Sequence, residues 1–252
     1  MIETDSPTRN RLLNSLPPEA QSRIFKNLER VDMTLGKVLY EPDRVMTHVY
    51  FPIDCIVSLL YVMVNGASAE ISVIGNDGIV GISLLMGGES TTSRAVVQTP
   101  GVAYRLASRI IRNEFDQDIC LRTLMLHYTQ ALLTQMAQTA VCNRHHSVNQ
   151  QLCRWLLLSL DRLPDNQVTM TQELIANMLG VRREGVTEAA GNLQRLGVIK
   201  YSRGIITVLD RPKLEQLCCE CYAVVKAETD RLLPQLKHTA KHQQSDWVTC
   251  KS

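Results

Sequence analysis

Between Thr171 and Ile199 the chain reads TQELIANMLGVRREGVTEAAGNLQRLGVI, and the placing of its small residues leaves few ways to fold it. Ala176 sits midway along a first apolar-periodic segment, Gly180 follows four residues later, and Val186 lies six beyond that. A small side chain at Ala176 lets a second helix cross closely, and Gly180 permits the positive φ that a sharp turn can require. Ile175, Leu179, Val181, Val186, Ala189, Ala190 and Leu193 keep helical spacing within each segment and change phase at Gly180. They predict two helices locked across a turn, with Thr171 as cap of the first and Glu173 in its first turn. The second helix, starting near Arg182, exposes Arg182, Arg183, Glu184, Thr187 and Glu188. Such a helix suits the major groove, where arginine can donate twice to guanine and glutamate can accept from cytosine N4. Val198 to Ser202 and Ile205 to Leu209, joined at Arg203-Gly204, then read as a β-hairpin, a wing whose Arg203 reaches phosphate. A charged, solvated face on an ordinary helical hairpin is the bland alternative, and the adjoining hairpin argues against it.

The net charge of +2 says little about partners, but from Arg182 to Arg203 the basic residues Arg182, Arg183, Arg195, Lys200 and Arg203 outweigh Glu184 and Glu188. With 252 residues, 45% of them hydrophobic and 21% charged, the chain reads as an ordinary globular protein of two domains. No apolar run approaches the roughly 20 residues of a membrane span, and MIETDSPTRNRLL has acids and no apolar core. A cytoplasmic protein with no membrane partner is expected. Its eight cysteines then read as reduced thiols rather than a disulfide framework. Cys218, Cys219 and Cys221 cluster, but Arg211 to Leu233 reads as one helix, on which neighbouring side chains diverge by about 100°. They are expected to pack as small apolar groups, and no metal ligand is assigned.

Residues 9 to 28 look helical on both sides of Pro17-Pro18. From about Val31 the pattern changes to short β-prone runs: Val38 to Tyr40, His48 to Phe51, Ile56 to Val62, Ala69 to Ile74, Ala95 to Thr99 and Val102 to Leu106. This spacing predicts an antiparallel sandwich or jelly roll rather than a parallel sheet. Gly75, Gly78 and Gly81 recur every third residue without a dinucleotide or Walker pattern, so strand turns are favoured over a phosphate loop. Gly81-Ile82-Ser83-Leu84-Leu85 lacks the last glycine of a nucleophile elbow, and no acid/base pair stands out, so no enzyme is expected. A short helix near Ser108 to Phe115 precedes a long one, about Gln117 to Val141. Leu121, Leu124, Tyr128 and Leu132 form a stripe along it, predicted to be the coiled-coil-like seam of a homodimer, with packing of both helix faces inside one subunit as the alternative. Asn143-Arg144-His145-His146 is the expected hinge, and Ser147 to Leu163 opens the next domain. The fold class is therefore α+β. Residues 1–115 are expected to form the β-domain with a helical lead-in, 116–146 the dimerisation helix and hinge, 147–225 the winged helix-turn-helix, and 226–252 a helical end and polar tail.

In that order these parts resemble the Crp/Fnr superfamily of bacterial transcription regulators. The resemblance covers roughly residues 10 to 225 and is most specific in ELIANMLGVRREGVTEAAGNLQRLGVIKYSRGIITVLD. Gly75-Asn-Asp-Gly78-Ile-Val-Gly81 and Ser93-Arg94-Ala95 resemble the sensor core. It implies a homodimer on a palindromic double-stranded DNA operator, effector binding in the β-roll, and RNA polymerase as a further partner if the protein activates. Arg183 and Glu184 fall on the family's base-reading pair, Arg182 replaces a capping Ser, and Glu188 stands where cyclic-AMP members carry a second base-reading arginine. Gly81, Ser93 and Arg94 fall in the effector region, but Ile82 replaces the acid that holds a ribose, and Ser93-Arg94 reverses the usual Arg-Ser. A lost charge-assisted hydrogen bond is worth about 1.5 to 3 kcal/mol, which argues against cyclic AMP and leaves another nucleotide or a cyclic dinucleotide for Arg94. No Cys precedes Cys55, against an iron-sulfur sensor, and a lone histidine is a weak signal for haem. Two alternatives stand beside this reading. In one the β-roll is only a dimerisation scaffold, and in the other the helix-turn-helix has lost DNA binding.

Overall fold

Short β-prone runs cannot each bury a face alone, and in the computed structural model, which describes residues 6–233, they do so as two antiparallel sheets. Two short helices, α1 (Arg11–Ser15) and α2 (Pro18–Phe25), lead into β1 (Glu29–Met33), β2 (Val38–Tyr40), β3 (His48–Pro52), β4 (Ile56–Val62) and β5 (Ser68–Ile74). A 3-10 turn, Ile82–Met86, is followed by β6 (Arg94–Thr99) and β7 (Gly101–Ala107). One sheet runs β1-β7-β3 and the other β2-β6-β4-β5. Val49, Phe51, Val57, Leu59, Val97 and Leu106 meet between them, and Leu12, Leu13 and Ile24 of the lead-in join the same core. Strand β1 escapes a reading by apolar alternation because, in ERVDM, only Met33 is buried.

Helices α3 (Ser108–Gln117) and α4 (Ile119–His145) follow, the second started by Asp118, whose Oδ1 accepts from the backbone N–H groups of Cys120 and Leu121. Its 27 residues give about 40 Å at 1.5 Å per residue. The stripe Leu121, Leu124, Tyr128 and Leu132 is not free for a second subunit: each is at most 8% exposed, buried in the β-roll core of the same chain. The face left over carries Ile119, Leu126 and Leu133 at seven-residue spacing, each more than half exposed, with Val141 beyond them. The sequence stripe was real, but a helix apolar on more than one side does not announce which side is turned inward.

The polar run Asn143-Arg144-His145 continues α4, and the break comes at His146. Ser147 then starts α5 (Val148–Leu160) with a reciprocal capping box to Gln150. Then come β8 (Gln167–Thr169), α6 (Gln172–Leu179), α7 (Arg183–Arg195), β9 (Ile199–Ser202), β10 (Ile205–Val208), α8 (Arg211–Leu217) and α9 (Glu220–Leu232). A three-stranded sheet, β8-β10-β9, flanks α6 and α7. Arg211 to Leu233 is thus two helices rather than the single one expected, because Cys218 and Cys219 both have extended backbone, with ψ of 159° and 165°. Helix α9 turns back along α4, where Gln130 Nε2 donates to Glu228 Oε1 at 3.1 Å. The polar tail, 234–252, lies outside the described residues. Among the described residues no helix is long and apolar enough to cross a membrane.

The expected C-terminal domain does not have a core to itself. Ile56, Leu60 and Val73 of the β-roll belong to the same apolar cluster as Leu152, Trp155 and Leu156 of α5 and Ile175, Val186 and Leu193 of the helix pair. The helix-turn-helix therefore packs on the outer face of β4 and β5.

Candidate nucleic-acid interface

Thr171 Oγ1 accepts from the N–H of Leu174 at 3.3 Å and starts α6, and Gly180, at φ 65°, stops it. The N–H of Val181 closes the end onto the Ala176 carbonyl at 3.0 Å. The chain then re-enters a helix at Arg182, which has extended backbone and makes no side-chain cap, so α7 begins with its backbone donors uncapped by Arg182. Val186, Ala189, Ala190 and Leu193 are buried, which turns Arg182, Arg183, Glu184, Thr187 and Glu188 outward, all of them exposed. The Thr187 hydroxyl lies 2.8 Å from Gln172 Oε1 and 3.1 Å from the Arg183 carbonyl, which fixes its rotamer on the outer face.

Strands β9 and β10 pair Ser202 with Ile205, leaving Arg203 and Gly204 as a two-residue turn with φ 51° and 79°. Positive φ at both positions is the twist-matched hairpin turn, and an arginine carries it at some cost in strain. The N–H of Tyr201 donates to Gln194 Oε1 at 2.8 Å and its hydroxyl to the Met170 carbonyl at 2.7 Å, tying the wing to α7 and to the link between β8 and α6. Burial raises the Tyr201 hydroxyl pKa and the nearby Arg183 charge opposes the shift. Arg183 and Arg203 line one notch of about 290 Å³, together with Thr171, Gln172, Gln194 and Tyr201. Of the six side chains expected to meet DNA, these two share a concavity, and Arg182, Glu184, Thr187 and Glu188 stand on the open helix face beside it.

The expected effector residues are arranged otherwise. Gly81, at φ 95°, begins the 3-10 turn, and the buried Ser93 hydroxyl lies 3.2 Å from Thr91 Oγ1. Arg94 opens β6 with its Nε 2.7 Å from Glu41 Oε2, so its charge is already met by a carboxylate of the same chain.

The Gly75 and Gly78 repeat is explained by close approach. A Cβ on Gly75 would stand 2.5 Å from Arg162 Cβ, and one on Gly78 2.5 Å from the Tyr128 hydroxyl oxygen. Between them Asp77 receives Arg162, with Nε to Oδ1 at 3.0 Å and Nη2 to Oδ2 at 2.8 Å, both side chains nearly enclosed. Nearby Glu70 is fully buried, its carboxyl pushed up to about 7 by desolvation against the opposing effects of Ser58, Arg154, Trp155 and Arg162. The pair was not visible in the sequence, since Asp77 and Arg162 lie 85 residues apart, and the burial of Glu70 depends on α5 as well as its own sheet. Sequence reading also missed a thiol and imidazole group, Cys142, His146, Cys219 and Cys221. The cluster at Cys219 and Cys221 and the one-turn spacing of Cys142 and His146 were its local signals, and only the fold joins them.

Residues 30–118 match the cyclic nucleotide-binding domain family, and residues 150–217 match the Crp-like helix-turn-helix domain family. No curated protein matches the chain. Among solved structures it is similar to a putative transcriptional regulator of the crp/fnr family from Eubacterium rectale, at TM-score 0.65 and 18% identity, over 83% of this chain and 98% of that one. It is also similar to FixK2 from Bradyrhizobium japonicum, at TM-score 0.67 and 16% identity, over 76% of this chain and 98% of that one. A third likeness is to CLP of Xanthomonas campestris, described as a c-di-GMP responsive global regulator, at TM-score 0.59 and 14% identity, over 76% and 99% of the two chains.

Proposed function

Because the chain belongs to the Crp/Fnr superfamily of transcription regulators, we propose that it binds a palindromic DNA operator as a homodimer and controls transcription from it in the cytoplasm, without catalysing a reaction. The observation that carries this reading is the exposed face of α7 with Arg182, Arg183, Glu184, Thr187 and Glu188, set beside a wing whose Arg203 shares a notch with Arg183. Arg183 and Glu184 read base edges, and Arg203 holds phosphate. If the protein activates, RNA polymerase is a further partner.

Fluorescence anisotropy on DNA from upstream of its own gene, at two salt concentrations, tests the proposal. Arg183→Ala is expected to cost about 1 to 3 kcal/mol on operator and to relax specificity at one position. Arg203→Ala should weaken all sequences alike and lower the salt slope by about one. Equal, sequence-independent losses from both would remove the base-reading role.

The seam is assigned to the face that α4 leaves uncovered, Ile119, Leu126 and Leu133, in place of the buried stripe. Two α4 helices packed on it bury apolar side chains at heptad spacing. Leu126→Glu combined with Leu133→Glu is therefore expected to yield a folded monomer by light scattering. A double variant that stays dimeric removes the seam from this face.

For the β-roll, one observation favours the scaffold reading over a sensor. The Arg94 guanidinium is held by Glu41, and an anionic ligand would have to displace that carboxylate. Melting with a panel of cyclic mononucleotides and dinucleotides separates the two: a scaffold shows no rise, whereas a bound effector raises the midpoint with concentration.

A further inference from the structure

At the junction of α4 and α5, the end of the long helix meets the break between α8 and α9. Cys142 occupies the last turn of α4 and His146 caps it, one turn later. Cys219 caps α9 and Cys221 follows inside it. The Sγ and imidazole ligand atoms of these four residues all lie within 4.8 Å of one another. Cys142 Sγ is 3.6 Å from Cys219 Sγ, and Cys221 Sγ is 3.5 Å from His146 Nδ1.

The 3.6 Å and 3.5 Å separations match two edges of a coordination tetrahedron, and the other ligand atoms stay within 4.8 Å of one another. Bonds of about 2.3 Å to sulfur and about 2.05 Å to nitrogen give edges of about 3.8 Å between sulfurs and about 3.6 Å between sulfur and nitrogen. Cys142, Cys219 and Cys221 are buried and form a small cluster of their own, apart from the two main cores. The imidazole is flanked on both sides: His146 Nε2 lies 3.4 Å from Glu220 Oε1, and Nδ1 faces the Cys221 thiol. Charge is balanced from the other side. The buried Arg154 donates from Nη1 to Thr139 Oγ1 at 3.0 Å and brings a positive charge to this end of α4.

We propose that Cys142, His146 Nδ1, Cys219 and Cys221 form a closed, four-ligand site for a divalent cation of the zinc class. Three sulfurs and one imidazole are a soft to borderline donor set, poorly suited to magnesium or calcium. Coordination replaces the thiol protons, which leave to solvent. The cation joins the end of α4 to the start of α9 across the hinge at His146, so it clamps the link between the long helix and the DNA-binding part. The extended backbone of Cys218 and Cys219 is what makes the site: on an unbroken helix the thiols would point in divergent directions.

The test uses the full chain, purified anaerobically with reductant, stripped with a chelator and titrated with Co(II), then with Zn(II) in competition. Uptake of one Co(II) per chain, with thiolate charge-transfer and tetrahedral ligand-field absorption, and its displacement by Zn(II), are expected. Chelation should lower the melting midpoint. Cys219→Ser should abolish the thiolate spectrum, Cys218→Ser should keep it, and Glu220→Gln should weaken uptake about tenfold through the imidazole. A folded, reduced wild-type chain that takes up neither ion overturns the proposal, even if the Cys219→Ser chain does not fold. So does a Cys142–Cys219 disulfide in place of uptake, or a spectrum unchanged in Cys219→Ser.

Discussion

Replacing Arg162 with alanine is expected to destabilise the protein by about 3 to 5 kcal/mol, because it strands a buried carboxylate. Arg162 is 5% exposed and Asp77 8%, and the guanidinium forks onto both carboxylate oxygens while its Nη1 donates to the Leu158 carbonyl at 2.6 Å. Against a typical total of about 5 to 15 kcal/mol, that loss brings the folded state near its limit. Urea unfolding measures it directly. The paired substitution Asp77→Asn with Arg162→Met removes both charges and should recover much of the loss. If the paired variant is as unstable as Arg162→Ala, the charge pairing is not what the site supplies.

A pH-dependent loss of stability is expected from Glu70. Burial raises its carboxyl to about 7 from an ordinary 4.5, so the folded chain holds a proton that the unfolded chain has already released. The arrangement around it suits the protonated form. Ser58 Oγ lies 2.5 Å from Glu70 Oε2 and 2.6 Å from Gln98 Oε1, and one hydroxyl hydrogen cannot serve both. A proton on Glu70 donates to Ser58, which is then free to donate to Gln98. The unfolded state binds fewer protons between about pH 4.5 and 7, so stability falls as pH rises through that window and levels off above it. The full loss is about 3 kcal/mol at 1.36 kcal/mol per pH unit. Glu70→Gln should remove this slope and be the more stable chain at pH 8. Identical pH dependence for the two chains, by urea unfolding at pH 5.5 and pH 8, would mean that Glu70 is ionised in the fold.

What could be read in advance was whatever repeats at short range. The runs from Val38 to Leu106 are short and β-prone, the spacing of Ala176, Gly180 and Val186 fixes the helix pair, and Arg203-Gly204 announces the wing. All of these depend on neighbours within a few residues. The exposed face of α7 could be named for the same reason, since its buried positions define it. Long-range choices were not legible. Leu121, Leu124, Tyr128 and Leu132 and the opposite row Ile119, Leu126 and Leu133 are both apolar rows on one helix, and only tertiary packing decides that the first is consumed inside the subunit. The cysteines at 218 and 219 looked helical because nothing in their composition signals the two extended residues that separate α8 from α9. Arg94 looked like an anion site because Glu41 lies 53 residues away. Gly75 and Gly78 were visible, but the bulk they make room for comes from Arg162 and Tyr128, in other elements.

Ile56, Leu60 and Val73 lie on the β-roll yet close against the helix-turn-helix. The two halves are therefore not interchangeable parts. A chimera that joined this β-roll to an unrelated reader would leave three large side chains facing water, and this reader on a foreign β-roll would lose the wall behind Trp155. Variation in either half is constrained by the other, along a buried surface away from the exposed face of α7.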